Sequence, residues 1–296
     1  MLFSSARLEA LAAVCDSGSF DQAALQLHVT PSALSQRISA LEREVGQVLV
    51  QRSRPAEPTE AGRVVLGLAR QTMLLHADAL ERLPASGPRR SAEWTQVPLA
   101  VNADSVATWY RSVLDDLASS RKRLLLDLRI EDQDHTAELL AKGEVMAAVT
   151  TSATPAPGCT VERLGTMSYW AACAPDLLGG TTPDEVDLGQ LPMLRFNAKD
   201  DLQHAMLRQL GTTGEPPTHL VPSNAEFLTL TRLGLGWSMI PREQAEHDVT
   251  SGRLVRLFPD EAVDVELHWQ RWRIQSSTLD ELTAWTRSAA EAHLQR

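Results

Sequence analysis

GSFDQAALQLHVTPSALSQRISALEREVGQVLVQRSRPAEPTEAG, residues 18–62, decides how the rest of the chain is read. Gly18 ends an apolar helical stretch, ARLEALAAVCD at residues 6–16, and Ser19 supplies a cap for SFDQAALQLHV. The chain turns again at Leu27 to Val29. Thr30 then precedes Pro31, an N-cap followed by the one helical position where proline gives up no hydrogen bond. The helix begun there, PSALSQRISALEREV, runs to Gly46 and carries Leu34, Ile38, Leu41 and Val45 at steps of four, three and four. That stripe is the buried one, so Ser32, Ser35, Gln36 and Ser39 lie off it.

A short helix, a tight turn and a capped second helix form a helix-turn-helix, and the second helix fits the major groove of double-stranded DNA. Serine and glutamine hydrogen-bond base edges, small Ala33 permits close approach, and the positive helix start favours a phosphate. Base readout is assigned to Ser32, Ser35 and Gln36, with Thr30 at the helix start. Arg37 clamps phosphate together with Arg52 and Arg54, which follow the strand-like VLVQR at the tip of a wing. Such contacts supply affinity and salt dependence rather than sequence choice. On spacing alone, the same polar positions also fit the solvated face of an ordinary three-helix unit.

Outward from this stretch, TEAGRVVLGLARQTMLLHADALERL is capped by Thr59 and reads as a long amphipathic linker helix. PASGPRRSAEWTQ has the composition of a hinge. The organisation is then a winged helix-turn-helix at 1–58, a linker helix at 59–83, a hinge at 84–96 and a sensor at 97–296. In the sensor, the apolar runs VPLAV, LLLDLRI, VMAAVT and YWAACA alternate with helical stretches such as SVATWYRSVLDDLAS. That is the rhythm of an α/β domain with a largely parallel sheet, and a second set begins near Val161. Trp269 and Trp272 flank Arg271 in an apparent strand and are expected to share one face, with the arginine on the other.

Composition excludes other classes. At 296 residues and 43% hydrophobic, the chain holds two or three folding units. Its net charge is −10, yet residues 1–90 carry 10 Arg against 9 acids, so the acidity belongs to the sensor. Residues 1–62 hold only five Arg and no Lys against seven acids, few for a DNA-binding unit, and a dimer doubles the contacts. The three cysteines have no CxxC spacing and suggest buried thiols rather than a metal site. No apolar run of about 18 residues and no export leader is visible, so a cytoplasmic protein with no membrane partner is expected. There is no GxSxG, no GxGxxG after a strand, no HExxH and no Walker loop, which argues against an enzyme. The leading helix-turn-helix argues against a solute-binding protein.

Residues 18–62 resemble the N-terminal signature of the LysR family almost without interruption. The resemblance implies a winged helix-turn-helix and a linker helix that dimerises. It also implies a two-lobed α/β sensor of the periplasmic-binding-protein kind, in a homodimer or homotetramer that sits on promoter DNA and contacts RNA polymerase. Two-lobed sensors hold ligands where strand ends meet helix N-termini. The candidate positions are Asn102, Asp104 and Ser105 after PLAV, and Thr150 with Thr151 after VMAAV. Helix capping alone also accounts for Asp104 and Ser105, and a solvated strand end for Thr150.

AVNADSVATW, RIEDQDHTAELLAKGEVMAAVT, RFNAKDDLQHAML, VPSNAEF and LHWQRW are similar to the ArgP/LysG subgroup of that family, which senses basic amino acids and controls their export. This implies lysine or arginine as effector, with no cofactor, no metal and no catalytic residue. It adds Asp132, Phe196, Asp200 and Ser223 to the effector candidates. Asp104, Asp132, Asp200 and Asp201 can offer carboxylates to an ammonium or guanidinium, while hydroxyls and helix starts take the α-carboxylate. For Asp132 and Asp201 taken singly, a solvated charged face is the favoured explanation. The chain departs from the subgroup in two places. Ser223-Asn224-Ala225-Glu226-Phe227 moves an acid by one position, about 100° around a helix, and Ser39 stands where a basic residue is usual. A LysR-type regulator answering to some other metabolite is the rival reading.

Overall fold

Helix boundaries in the N-terminal unit follow the caps. The computed structural model describes residues 3–83, 94–120, 122–130, 136–212 and 214–296. Helices α1 (Ser5–Ser17), α2 (Phe20–Gln26) and α3 (Pro31–Val45) are followed by the two-stranded wing β1 (Val50–Gln51) and β2 (Glu57–Pro58). Ser19 and Thr30 cap α2 and α3 through their hydroxyls, and Gly18 and Gly46 end α1 and α3 in the left-handed conformation. Leu34, Ile38 and Leu41 are buried with Leu8, Leu11, Val14, Leu49 and Leu66 in one core, and Val45 packs at its edge. Each fully buried leucine or isoleucine of this stripe contributes about 1.5–3 kcal/mol.

The linker helix α4 (Glu60–Arg82) starts at the cap Thr59. It is not a free spacer: Leu74 is fully buried in the core of the sensor, and Asp78 accepts a hydrogen bond from the Thr278 hydroxyl at 2.7 Å. Lys122 joins Glu81 at 3.4 Å to Glu281 at 3.0 Å. Burial opposes the Lys122 charge, but the two carboxylates outweigh it and hold the ammonium above the ordinary lysine range. Most of the stretch read as a hinge, residues 84–93, lies outside the described residues. Thr95 and Gln96 are already strand, bonded to the neighbouring strand through Thr95 N and Arg123 O at 2.9 Å.

The sensor comprises β3 (Thr95–Val101), α5 (Ala103–Ala107), α6 (Arg111–Ser119), β4 (Leu124–Ile130), α7 (Thr136–Ala141), β5 (Ala147–Thr150) and β6 (Cys159–Cys173). There follow β7 (Met193–Arg195), α8 (Leu202–Gln209), β8 (Thr218–Leu220), α9 (Asn224–Arg232), β9 (Ser238–Pro241), α10 (Arg242–Thr250), β10 (Val255–Arg256), β11 (Val263–Trp272) and α11 (Ser277–His293). The expectation of a largely parallel sheet is corrected. Among the described strands, parallel pairing joins β4–β3–β5 and β7–β8, while β6 and β11 pair antiparallel with each other, and β5, β9 and β10 join them antiparallel. A parallel neighbour needs a crossover, and helices supply it between β3, β4 and β5 and, as α8, between β7 and β8. The 15-residue β6 and 10-residue β11 instead carry the chain between the lobes as long adjacent strands.

The tryptophan reading is corrected too. A spacing of three on a two-residue period puts Trp269 and Trp272 on opposite faces. Both are buried because β11 is covered on both sides, and Trp269 donates its indole N–H to Thr283 Oγ1 at 3.0 Å. No helix among the described residues is long and apolar enough to cross a membrane.

Candidate functional site: DNA-reading helix and effector cleft

In the N-terminal unit, Ser32 and Gln36 are exposed on α3, and Ser35 and Arg37 are half-buried beside them. Thr30 is committed to the cap: its Oγ1 accepts from Ala33 N at 3.2 Å and lies 3.0 Å from Ser32 Oγ. Arg52 and Arg54 are exposed at the wing tip, with the Arg52 guanidinium 5.4 Å above the Phe20 ring. The wing is pinned against the turn before α2. Ala56 N donates to Gly18 O at 2.8 Å, and a Cβ on Gly18 would meet Pro55 Cβ at 2.8 Å.

The excess of acids over arginines has a structural explanation. Glu42 Oε1 accepts from Leu49 N at 3.0 Å and Val50 N at 3.4 Å, Glu44 pairs with Arg7 at 2.8 Å, and Asp16 is bonded to Arg70. Three of the carboxylates therefore have structural partners: Glu42 ties the wing strand to α3, Glu44 is paired within the unit and Asp16 is paired with the linker helix.

Between the lobes lies a cleft of about 690 Å³. Lobe I contributes Asn102, Ala103, Asp104, Ile130 and Thr151, lobe II contributes the loop from Phe196 to Leu202 with Asn224, Phe227 and Met239, and Val263 and Val265 come from β11. Asp104 is the best-defined polar group here. Tyr169 Oη donates to its Oδ2 at 2.9 Å, and Asn224 Nδ2 donates across from α9 to its Oδ1 at 2.8 Å. Asn102 is buried, with Oδ1 lacking a hydrogen-bond partner among the described residues.

The other sequence candidates fall in different places. Phe196 and Asp200 line the cleft, but both Asp200 oxygens already accept backbone N–H groups, Phe196 N at 2.9 Å and Leu202 N at 3.2 Å. Asp201 is exposed, and its hydrogen bond to Arg208 at 2.6 Å holds its carboxyl below the usual range. Ser105 is fully buried and accepts the Trp109 indole N–H at 3.0 Å. Thr150 is buried and accepts Ser152 N at 3.1 Å, while its neighbour Thr151 takes the cleft position. Ser223 caps α9 through Glu226 N at 3.4 Å and is not among the lining residues. Glu226, the displaced acid, is exposed and also outside the lining. Asp132 lies outside the described residues. Sequence reading missed Tyr169 and Asn224, whose link to Asp104 spans 65 and 120 residues.

A winged helix-turn-helix carried on a helix that packs into a two-lobed sensor defines a ligand-responsive DNA-binding regulator. The chain belongs to the LysR family: residues 5–63 match its bacterial regulatory helix-turn-helix domain and residues 95–291 match the LysR substrate binding domain. It is similar to the lysine export transcriptional regulatory protein LysG of Corynebacterium glutamicum, 40% identical over 282 residues, or 94% of each chain. The crystal structure of ArgP from Mycobacterium tuberculosis superposes with a TM-score of 0.85 at 42% identity, covering 100% of this chain and 99% of that one. Full-length LysG from Corynebacterium glutamicum with bound effector Arg superposes with a TM-score of 0.76 at 39% identity, covering 99% and 100%.

Proposed function

We propose that the protein is a cytoplasmic LysR-type regulator that takes arginine or lysine in the Asp104 cleft and controls transcription of an amino-acid exporter gene. It acts on promoter DNA as a homodimer or homotetramer and contacts RNA polymerase. The observation that carries the effector reading is a carboxylate held by Tyr169 and Asn224 between apolar walls, beside the buried Asn102 Oδ1, which has no hydrogen-bond partner among the described residues. A cation finds two acceptors there, and the methylenes of a lysine or arginine side chain find Phe196, Phe227 and Met239. Thr151 and Lys199 stand at the cleft for the α-carboxylate. One relative supports the same chemistry: LysG of Corynebacterium glutamicum is named for lysine export and was solved with arginine as effector.

The test is binding of the full chain to its own upstream intergenic DNA at fixed salt, with and without arginine and lysine. Specific binding altered by either amino acid is the expected result. Specific binding indifferent to both would remove the effector, and an absence of specific binding would remove the regulator.

Two smaller effects follow from the DNA-reading surface. Arg52→Ala is expected to weaken binding to all sequences alike and to reduce the slope of log K against log salt by about 1. Gln36→Ala is expected to cost about 1–3 kcal/mol at one base pair and little elsewhere. A salt titration on specific and scrambled DNA separates the two outcomes, and equal losses in both variants would refute the assignment.

The linker helix carries a strip for the second copy. Val64, Leu68 and Leu75 are 74%, 43% and 40% exposed at spacings that put them on one helix face. Replacing Val64 and Leu68 by glutamate is expected to convert the dimer to monomer and to weaken operator binding about 100-fold, since two linked half-sites gain 10²–10⁴ in avidity. Light scattering reads the first effect; a variant that stays dimeric places the interface elsewhere.

A further inference from the structure

Three segments remote in sequence meet at one buried arginine. Arg70, 6% exposed in the middle of α4, donates from Nη1 to Gly143 O at 2.8 Å and to Glu144 O at 2.8 Å. Its Nη2 bonds the Asp16 carboxylate at the end of α1. The guanidinium therefore ties the DNA-reading head to the turn between α7 and β5 through the linker helix.

The surroundings make this junction stiff. Gly143 has φ +67°, and a Cβ there would lie 2.7 Å from Gly67 Cα, so helix and turn touch backbone to backbone. Glu144 is held by Arg129 at 2.9 Å and lies 3.9 Å from Arg63, and Met146 N donates to Pro98 O at 2.8 Å in β3. From this turn, β5 runs directly to Thr150, and Thr151 lines the effector cleft. A strand transmits displacement along its length because its covalent backbone is already nearly fully extended, and pairing with β3 and β11 keeps β5 from buckling sideways. At the other end, a buried guanidinium stripped of a partner is costly. The turn and Asp16 are thus compelled to move together.

We propose that Arg70 is the positioning residue through which the state of the effector cleft sets the pose of the DNA-reading head. The inference rests on the reading that cleft occupancy alters DNA binding. Lysine cannot replace it fully, since only a planar fork reaches two carbonyls and a carboxylate at once.

The test uses the full chain with Arg70→Ala, Arg70→Lys and Asp16→Asn. Arginine affinity is measured by calorimetry, and operator affinity by anisotropy with and without saturating arginine. Arg70→Ala is expected to keep its arginine Kd within about twofold of wild type while the ratio of operator affinities with and without arginine falls to within about twofold of one. Arg70→Lys should recover part of the ratio, and Asp16→Asn should lose most of it from the head side. A merely structural residue would lower thermal stability without collapsing that ratio at unchanged arginine affinity. A wild-type ratio in Arg70→Ala overturns the proposal, as does a collapse that comes with lost arginine binding. If Arg70→Ala fails to fold, the near-isosteric Asp16→Asn decides by the same criterion. If the wild type ignores arginine, the effector reading falls on its own. The positioning role is then judged by basal operator affinity, which Arg70→Ala and Asp16→Asn must shift at least about threefold.

Discussion

Asp104→Ala is expected to raise the Kd for arginine about 100-fold or more while leaving operator binding without effector within about threefold of wild type. Removing one member of a buried, hydrogen-bonded charge pair costs about 2–5 kcal/mol, and each 1.4 kcal/mol is tenfold. Here the loss has two parts. The ligand's cation loses its counter-charge, and the Tyr169 hydroxyl and Asn224 amide, which donate to Asp104 at 2.9 and 2.8 Å, lose their acceptor. Asp104→Asn isolates the first part, because one side-chain oxygen still accepts from one of the two donors. Its Kd should fall between wild type and Asp104→Ala. Calorimetric titration of both variants with arginine checks the order. An Asp104→Ala protein that binds arginine with wild-type affinity would falsify the assignment of the cleft.

What was legible in the sequence is what local chemistry dictates. Thr30-Pro31 and Gly46 bound α3 because a cap, a proline and a left-handed glycine act within one turn of their own position. Leu34, Ile38 and Leu41 are buried as their spacing requires. The LysR resemblance rests on this same stretch, which is why the family was visible before the structure. The cleft was half legible. Asp104 was marked by its place after a strand, but its partners were not, since Asn224 reaches it from the other lobe and nothing local distinguishes that asparagine from a helix-start residue. Thr150 and Thr151 show the limit of a period of two: the strand end was found, and a one-residue step chose which hydroxyl meets the cleft. Ser105 looked like a ligand hydroxyl and accepts from a tryptophan one helical turn away. Arg70 gave no signal, because a basic residue in an amphipathic helix reads as solvated until the turn at Gly143 is packed on it.

Gly62→Ala is expected to destabilise the head by about 1–2 kcal/mol net and to weaken operator binding at temperatures approaching the unfolding of the wild-type head. By helix propensity alone the change should help, since alanine in a helix is about 1 kcal/mol better than glycine. The local geometry reverses the sign. A Cβ on Gly62 would sit 1.9 Å from Leu49 O and 3.3 Å from Pro58 Cβ. Leu49 O is itself fixed, accepting from Thr59 N at 2.9 Å, while Thr59 Oγ1 donates to Val48 O at 2.7 Å and accepts Gly62 N at 2.9 Å. The obstacle is the Leu49 backbone carbonyl on one side and a rigid proline ring on the other, so no flexible side chain can give way. Overpacking costs of 1–3 kcal/mol and occasionally more then outweigh the propensity gain. Gly67→Ala in the same helix is the control, because its Cβ would meet Gly143 Cα at 3.4 Å and nothing closer. Its net effect should stay under about 1 kcal/mol. Thermal unfolding followed by circular dichroism reads the difference, with about 4–8 °C expected per kcal/mol in a domain of this size. Equal melting temperatures for Gly62→Ala and wild type would show that the wing and the linker helix can separate. The start of α4 would then not be what fixes the linker to the DNA-reading head.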